Sequence, residues 1–518
     1  MPFPAAEPEK GKAVSVPSIG DAPTFVATAD HDSMRQLRAL VDDVLGVLAD
    51  VGKGRATPVA PGGPTAVRAY ADDVLAEPLL PATGGNPAEV LRKLVEAYAN
   101  WSVDVSHPAT VARMQCPPTA VAVAADLVAG ALNQSMHAWE AGPFALELER
   151  RLIEDLATLV GYGADAGGTL TAGGSISNVM AMLIARDEAY RRRLGRSTFD
   201  SGLAVGGVRP VVLCTETVHF SVDRGASIAG IGADGIIRVP ADDLGRMIPG
   251  EADRILRELP ADCLPVMLFV CAGSTDFGWV DPLPELARVA REHGVWLHAD
   301  AAYGGGALFS ERLRPLFDGL AEADSVTLDL HKFGWVPASA GVFLARDAAT
   351  LDHLAVQQTS LNSPDDVAEG FVGRYGHSIQ ATRRCDALKI AATLRAYGRD
   401  GIGAMVDACH ELSRYGAARV AREAKLELAA EPVLSTVLFR YLPGDGSDLD
   451  VFNSGLRRQL MRDGHAMLAR VFLPRPGGGK EVWLKLMLLN PATTGEQLDQ
   501  VVDDVLATGA ALEAAGRS

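Results

Sequence analysis

Four short segments of this 518-residue chain carry side chains that could work as one chemical site. The first is Asp324-Ser-Val-Thr-Leu-Asp-Leu-His-Lys-Phe333, where Lys332 follows directly on a β-branched run with Asp329 and His331 beside it. An amine placed there can condense with an aldehyde and be displaced by an incoming amine. The commoner fate of a lone lysine at a strand end is simply to be solvated. The second segment is Val295-Trp-Leu-His-Ala-Asp-Ala-Ala-Tyr-Gly304, an apolar strand ending in His298 and Asp300. A carboxylate at the end of a buried strand is costly unless paired. A protonated pyridine nitrogen would suit Asp300, which would keep that nitrogen charged so the ring accepts electrons, and small Ala302 leaves room for a flat ring. The alternative is an aspartate that caps the following turn.

The third segment, Thr169-Leu-Thr-Ala-Gly-Gly-Ser-Ile-Ser-Asn178, sets Gly174 and Ser175 at the start of a helix. Unpaired N–H groups and the helix dipole there favour an anion such as a phosphate. On its own the run reads equally as a loop with an N-cap. The fourth, Glu216-Thr-Val-His-Phe-Ser-Val-Asp223, offers His219, which could stack on a ring and handle protons near neutral pH, or serve only structure. Turn, histidine, aspartate and lysine follow in that order, each at or just past a strand or turn. Independent coincidence explains this poorly. The set suits pyridoxal phosphate held as a Schiff base on Lys332.

The elements that must position these residues are legible as periodicity. Short apolar runs at 211–214, 266–270, 295–299, 325–328 and 341–344 read as strands, with helical stretches such as 283–292 between them. That alternation predicts a mostly parallel central sheet with helices on both faces, an α/β domain over 105–400. Chemistry is expected at the carboxyl ends of its strands. Residues 1–30 read as a flexible lead-in. Residues 31–104 read as a helical segment, with helices over 33–48 and from Asn86-Pro87 onward, separated by the Gly/Pro-rich run 51–64. Residues 401–518 read as a small C-terminal α/β domain: a helix over 403–423, strands at 436–441 and 482–489, and a final helix near 495–506.

Composition narrows the function classes. Lysine and arginine total 48 against 65 aspartates and glutamates, a net charge of −17, so no general electrostatic footprint for nucleic acid is expected. No apolar run reaches the roughly 20 residues needed to span a bilayer. Residues 1–12 lack the apolar core of a secretory signal. Six scattered cysteines show neither a CxxC pair nor metal-ligand spacing, so no metal site is expected and reduced thiols in the cytoplasm are the default.

Beyond these readings, the chain from about Trp101 to Pro491 resembles the group II pyridoxal-dependent amino-acid decarboxylases, a branch of the aspartate-aminotransferase-like fold type I. The resemblance lies in His107-Pro108 with Gln115-Cys-Pro117, Thr171-Ala-Gly-Gly-Ser175, His219-Phe-Ser221 and Ala272-Gly-Ser-Thr-Asp-Phe-Gly278. It continues in His298-Ala-Asp-Ala-Ala-Tyr-Gly304, Asp329-Leu-His-Lys332, Thr382-Arg-Arg-Cys-Asp-Ala-Leu-Lys389 and Leu489-Asn-Pro491. The Asp-Phe-Gly and Arg-Arg-x-Asp-Ala-Leu-Lys runs look most like the L-2,4-diaminobutyrate decarboxylase-like subgroup. The resemblance implies a Schiff base on Lys332, Asp300 paired with the pyridine nitrogen and His219 stacked on the ring. It implies that Gly174, Ser175 and His331 serve the phosphate and that Thr275, Ala302 and Asp329 line the cofactor. It also implies a homodimer with the active site at the subunit interface. The reaction implied is decarboxylation of an L-amino acid, small or dibasic, through a quinonoid intermediate.

Two positions depart from the family pattern. Ser274 stands where threonine is common, a mild change. Ser360 falls where the family carries a loop tyrosine that returns a proton to the α-carbon. Tyr375 or His377 could take that part if the loop folds differently. Without a donor, the resemblance implies an alternative outcome, decarboxylation-dependent oxidative deamination to an aldehyde or another trapping of the carbanion. A non-catalytic regulator or scaffold on the same fold would be expected to lose Lys332, Asp300 or His219, and this chain keeps all three.

Overall fold

The computed structural model describes residues 30–204, 206–354, 362–444, 446–474 and 478–516. They fall into two compact units. Of these residues, the first comprises 30–54 with 82–99, the second 55–81 with those from 100 to 516. In the first unit the helix His31–Gly54 starts where Asp30 Oδ1 accepts from the Asp32 and Ser33 amides, and the helix beginning at Pro87 starts where Asn86 Oδ1 accepts from the Ala88 and Glu89 amides. Both starts follow the N-cap rule. The run 51–64, whose composition predicts a break only, also opens a further helix at Gly63–Val74, with Pro64 in its first turn. That helix belongs to the second unit.

The second unit is built on a seven-stranded sheet. In chain order its strands are β1 (Gly167–Thr171), β2 (Arg209–Cys214), β3 (Ile236–Arg238), β4 (Cys263–Cys271), β5 (Trp296–Ala301), β6 (Ser325–Asp329) and β7 (Gly341–Ala345). Their order across the sheet is β1-β7-β6-β5-β4-β2-β3. All run parallel except β7, which is antiparallel to both neighbours. The expected α/β fold, with a mostly parallel sheet and helices on both faces, is what the chain adopts.

Alternation within the strands explains why both faces are covered. Leu213, Leu268, Leu297, Val326 and Val342 join one apolar cluster, with the helices α1 (Pro143–Val160) and Leu283–His293. Cys214, Met267, Phe269, Trp296 and Phe343 join the other, with α2 (Gly174–Leu194) and α3 (Ser221–Ile228). Strands buried on both faces are near-continuously apolar, as these are.

A second sheet of five strands lies toward the C-terminus: β8 (Leu426–Leu428), β9 (Thr436–Tyr441), β10 (Met467–Pro474), β11 (Lys480–Met487) and the short strand Thr110–Val111, which pairs in parallel with β10. The sequence places residues 110–111 within the large domain; the small sheet recruits them instead. The span α4 (Ala387–Ala421) is two helices that meet at a kink at Gly398, where φ is 64°, and the second of them corresponds to the helix expected over 403–423. Among the described residues no helix is long and apolar enough to cross a membrane.

Candidate active site

The carboxyl ends of β1, β4, β5 and β6 open on one cavity of about 300 Å³. All nine predicted site residues line it: Gly174, Ser175, His219, Thr275, Asp300, Ala302, Asp329, His331 and Lys332. The strands bring them together by register. Asp300 on β5 lies beside Cys271 on β4 and Thr327 on β6. Every second residue shares a face, so Trp296, His298 and Asp300 point the same way, as do Ser325, Thr327 and Asp329. That face meets α2, whose first turn supplies Gly174, Ser175 and Asn178.

Gly173 precedes α2 with φ 140°, a conformation that favours glycine. The Ile176 and Ser177 amides donate to Gly173 O and close the first turn. Helix geometry leaves the Gly174 and Ser175 amides without intrahelical acceptors, so both face the cavity mouth as anion donors. A Cβ on Gly174 would stand 3.0 Å from Ala302 Cβ and 3.1 Å from Asp329 Oδ2, tighter than ordinary contact, so the turn and the strand ends would have to part by a few tenths of an ångström to admit it.

Asp300 is held by two donors. The Ala302 amide reaches Oδ1 at 3.0 Å, and Asn178 Nδ2 reaches Oδ2 at 2.8 Å. Lys332 follows β6 in a tight turn, with Nζ 3.0 Å from Asp329 Oδ2 and its amide donating to Asp329 O. Burial pushes the Asp329 carboxyl up, against the pull of Lys332 and His331. Its Oδ1 is buried without a hydrogen-bond partner. His331 Nδ1 accepts from the Ala340 amide, which leaves Nε2 to carry the proton, 3.7 Å from Asp329 Oδ2. His219 Nδ1 likewise accepts from the Ser221 amide, so its proton also sits on Nε2. Burial lowers both histidines from their ordinary range, Asp300 opposing at His219 and Asp329 at His331.

Three further residues shape the site. Asn178 lines the cavity and bonds Asp300. Tyr303 also lines it and donates or accepts at Ser435 Oγ, 2.8 Å away, tying the wall to the small sheet. Lys485 of β11 is buried and donates to Thr275 O at 3.0 Å and toward Asp276 Oδ1 at 3.4 Å. The sequence sets Asn178 beside Ser175 as a short polar side chain at the helix start, but its bond to Asp300 depends on strand order; Tyr303 and Lys485 reach the site through tertiary contacts that spacing does not reveal. Ser360 lies outside the described residues. Neither Tyr375 nor His377 lines the cavity. His377 instead sits in the charge field of Arg374 and Glu149, where burial lowers it to about 4, so it is neutral near pH 7.

These residues fit pyridoxal phosphate. The glycine turn is a cradle that a Cβ would fill, a lysine and a fixed carboxylate line one ring-sized cavity, and Asp329 Oδ1 is buried with an unused lone pair.

Comparison with known proteins agrees with the geometry. Residues 80–442 match the pyridoxal-dependent decarboxylase conserved domain. An L-2,4-diaminobutyrate decarboxylase from Rhizobium meliloti (strain 1021) is 36% identical over 488 residues, covering 93% of this chain and 94% of its own length. Another from Acinetobacter baumannii is 32% identical over 80% of this chain and 83% of its own. Among solved structures, the glutamate decarboxylase domain of diaminobutyrate-pyruvate transaminase and L-2,4-diaminobutyrate decarboxylase from Vibrio parahaemolyticus superposes with a TM-score of 0.83 at 26% identity, over 94% of this chain and 98% of that one.

Proposed function

The chain belongs to the group II pyridoxal-dependent decarboxylase family and is a pyridoxal-phosphate-dependent amino-acid decarboxylase, and from that premise we propose that it removes the α-carboxylate of L-2,4-diaminobutyrate. The observation that carries the reading is the convergence of Lys332, Asp300, His219 and the Gly174–Ser175 turn on one cavity. The two diaminobutyrate decarboxylases above support this dibasic substrate.

The residues divide the work as follows. Lys332 is the residue that would hold the cofactor, through condensation of Nζ with its aldehyde. The Gly174 and Ser175 amides and His331 Nε2 take the phosphate. Asp300, its carboxylate fixed by Asn178 and Ala302, holds a proton on the ring nitrogen. When bound, pyridoxal phosphate supplies an electron sink for the pair left on the α-carbon as CO2 departs. His219 stacks against the ring and keeps its own proton on Nε2. Ile176, Phe220 and Tyr303 line the same cavity. We read the assembly as a cytoplasmic homodimer with its active sites at the subunit interface; light scattering of the purified chain tests the dimer.

Ser360, standing where a loop tyrosine is expected, favours a second outcome: an aldehyde, ammonia and hydrogen peroxide formed at the expense of molecular oxygen. One assay separates the two. Purified enzyme is given L-2,4-diaminobutyrate beside a panel of other L-amino acids, and CO2, amine, ammonia and peroxide are measured. One amine per CO2 from diaminobutyrate supports the decarboxylase; ammonia and peroxide matching CO2 support the oxidative outcome. Turnover of another amino acid in preference to diaminobutyrate would overturn the substrate assignment.

A further inference from the structure

Behind Asp300 runs a buried chain of hydrogen bonds whose direction is fixed from the Asp300 end, because a carboxylate only accepts and so takes the Asn178 NH2 group. Trp296 Nε1 can only donate, and it donates to Ser325 Oγ at 2.8 Å. Ser325 Oγ also lies 2.8 Å from His298 Nδ1. At the other end Asn178 presents its amide oxygen to His298 Nε2 at 3.0 Å, so Nε2 carries the ring proton and donates, and in the neutral ring Nδ1 accepts from Ser325. Thr327 Oγ1 donates to the same oxygen at 2.9 Å. Two donors on Oδ1 match this orientation of the amide, with Nδ2 turned to Asp300 Oδ2 at 2.8 Å and to Ser221 Oγ at 3.0 Å. The reverse orientation would press the amide oxygen against the Asp300 carboxylate.

We propose that Asn178 and His298 are positioning residues that act through Asp300, aiming its carboxylate at the ring nitrogen of the cofactor while bringing no positive charge of their own. The proposal rests on the assignment of Asp300 to that nitrogen. His298 is fully buried, and burial lowers it to about 4 although Asp300 pulls the other way, so it remains a neutral donor at working pH. A cationic partner here would compete with the ring nitrogen for Asp300. A neutral amide orients the carboxylate without satisfying its charge. Strand register makes this arrangement possible: His298 lies opposite Ser325, and Asp300 opposite Thr327. Two strands and the first turn of α2 thus meet at Asn178, a residue that touches no reacting atom in this scheme.

A buried polar cluster could serve stability alone, so the test must read the ring nitrogen itself. Full-length protein is stripped of cofactor and titrated with pyridoxal phosphate and with its deaza analogue, in which carbon replaces the ring nitrogen. A charge-assisted bond to that nitrogen gives the wild type a preference for pyridoxal phosphate of about tenfold or more. Asn178→Ala and His298→Leu are expected to cut the preference to within about threefold by weakening pyridoxal phosphate far more than the analogue. His298→Gln, whose amide can accept from Ser325 and donate to Asn178, is expected to keep the wild-type ratio. An unchanged ratio in Asn178→Ala and His298→Leu, or an equal loss for both ligands, would overturn the relay while leaving Asp300 in place. No preference in the wild type would overturn the Asp300 assignment and the relay with it. The His298 pair keeps the test decisive if Asn178→Ala does not accumulate.

Discussion

Lys332 Nζ lies 3.0 Å from Asp329 Oδ2, and Asp329 keeps only 3% of its side chain exposed. A buried carboxylate of this kind is expensive to the fold and useful to the site. Burial pushes its pKa up, so the folded protein binds a proton there more readily than the unfolded chain does. Asp329→Asn is therefore expected to leave the melting temperature of the cofactor-free protein unchanged or raised. The same change is expected to weaken pyridoxal phosphate binding by about tenfold or more, because the partner of Lys332 loses its charge. Thermal unfolding without cofactor, paired with cofactor titration, checks both halves. A large fall in melting temperature would mean that Asp329 serves the fold.

Gly174→Ala tests the cradle. The added methyl would meet Ala302 Cβ at 3.0 Å and Asp329 Oδ2 at 3.1 Å. Making room for it shifts the turn and carries the Gly174 and Ser175 amides off the phosphate; a hydrogen bond to a charged group contributes about 1.5–3 kcal/mol, which predicts a cofactor affinity lower by roughly tenfold or more. Gly455→Ala, with nothing within 4 Å of its added methyl, is the control and is expected to bind normally. Equal affinity in the two variants would show that the turn does not approach the phosphate.

Glu149 and Arg383 form an ion pair buried far from solvent, with Arg383 NH1 and NH2 each 3.0 Å from a Glu149 oxygen. Glu149 also accepts from Thr169 Oγ1 at 2.9 Å. The pair thereby fastens β1, which leads into the glycine turn, to the Arg-Arg-Cys-Asp run ahead of α4. Burial raises the Glu149 pKa, but Arg383 outweighs it and the net shift is downward. Arg383→Ala removes two hydrogen bonds from the buried Glu149 carboxylate and leaves it Arg374, 3.6 Å away, as its cation, so it is expected to cost about 1.5–3 kcal/mol of stability. Chemical unfolding of the variant checks this; a loss under about 1 kcal/mol would contradict it.

His298 makes stability depend on pH. Its folded value is about 4, against 6.5 for an ordinary histidine. Between those values the unfolded chain binds a proton that the folded chain refuses, so stability falls as pH falls from about 6.5 toward 4. His298→Gln removes this proton. Going from pH 7 to pH 5, the variant is expected to lose less stability than the wild type by roughly 1–2 kcal/mol, measured by urea unfolding. Identical losses would place the acid sensitivity elsewhere, for example at His377, which burial also lowers to about 4.

Much of the architecture is legible in the amino-acid sequence. The strand pattern at 436–441 coincides with the observed strand, and the patterns carrying Asp300 and Asp329 fall within a few residues of theirs. Their apolar runs are continuous because both faces are buried, and that is a strong signal. Strand β1 gives no such signal because it opens with Gly167-Gly168, residues that weaken a strand. Gly168 is required there because a Cβ would fall 2.2 Å from Phe343 O on the neighbouring strand, a tertiary constraint. Strand β3 is three residues long, too short for alternation to register. The helix at Gly63–Val74 hides in a stretch whose prolines and glycines read as breakers, although Pro64 in fact starts it. The Trp296–Ser325–His298–Asn178 relay depends on which strands lie side by side, and a single sequence does not encode that order in any local pattern.

Everything proposed for the site depends on Lys332 as the residue that carries the cofactor. The direct measurement is borohydride reduction of the enzyme with pyridoxal phosphate bound, followed by proteolysis and mass spectrometry of the modified peptide. One modified lysine per chain is expected, at Lys332, and none in Lys332→Ala. A label on another lysine, such as buried Lys389 or Lys485, or a label that persists in Lys332→Ala, would show that the cofactor is held elsewhere.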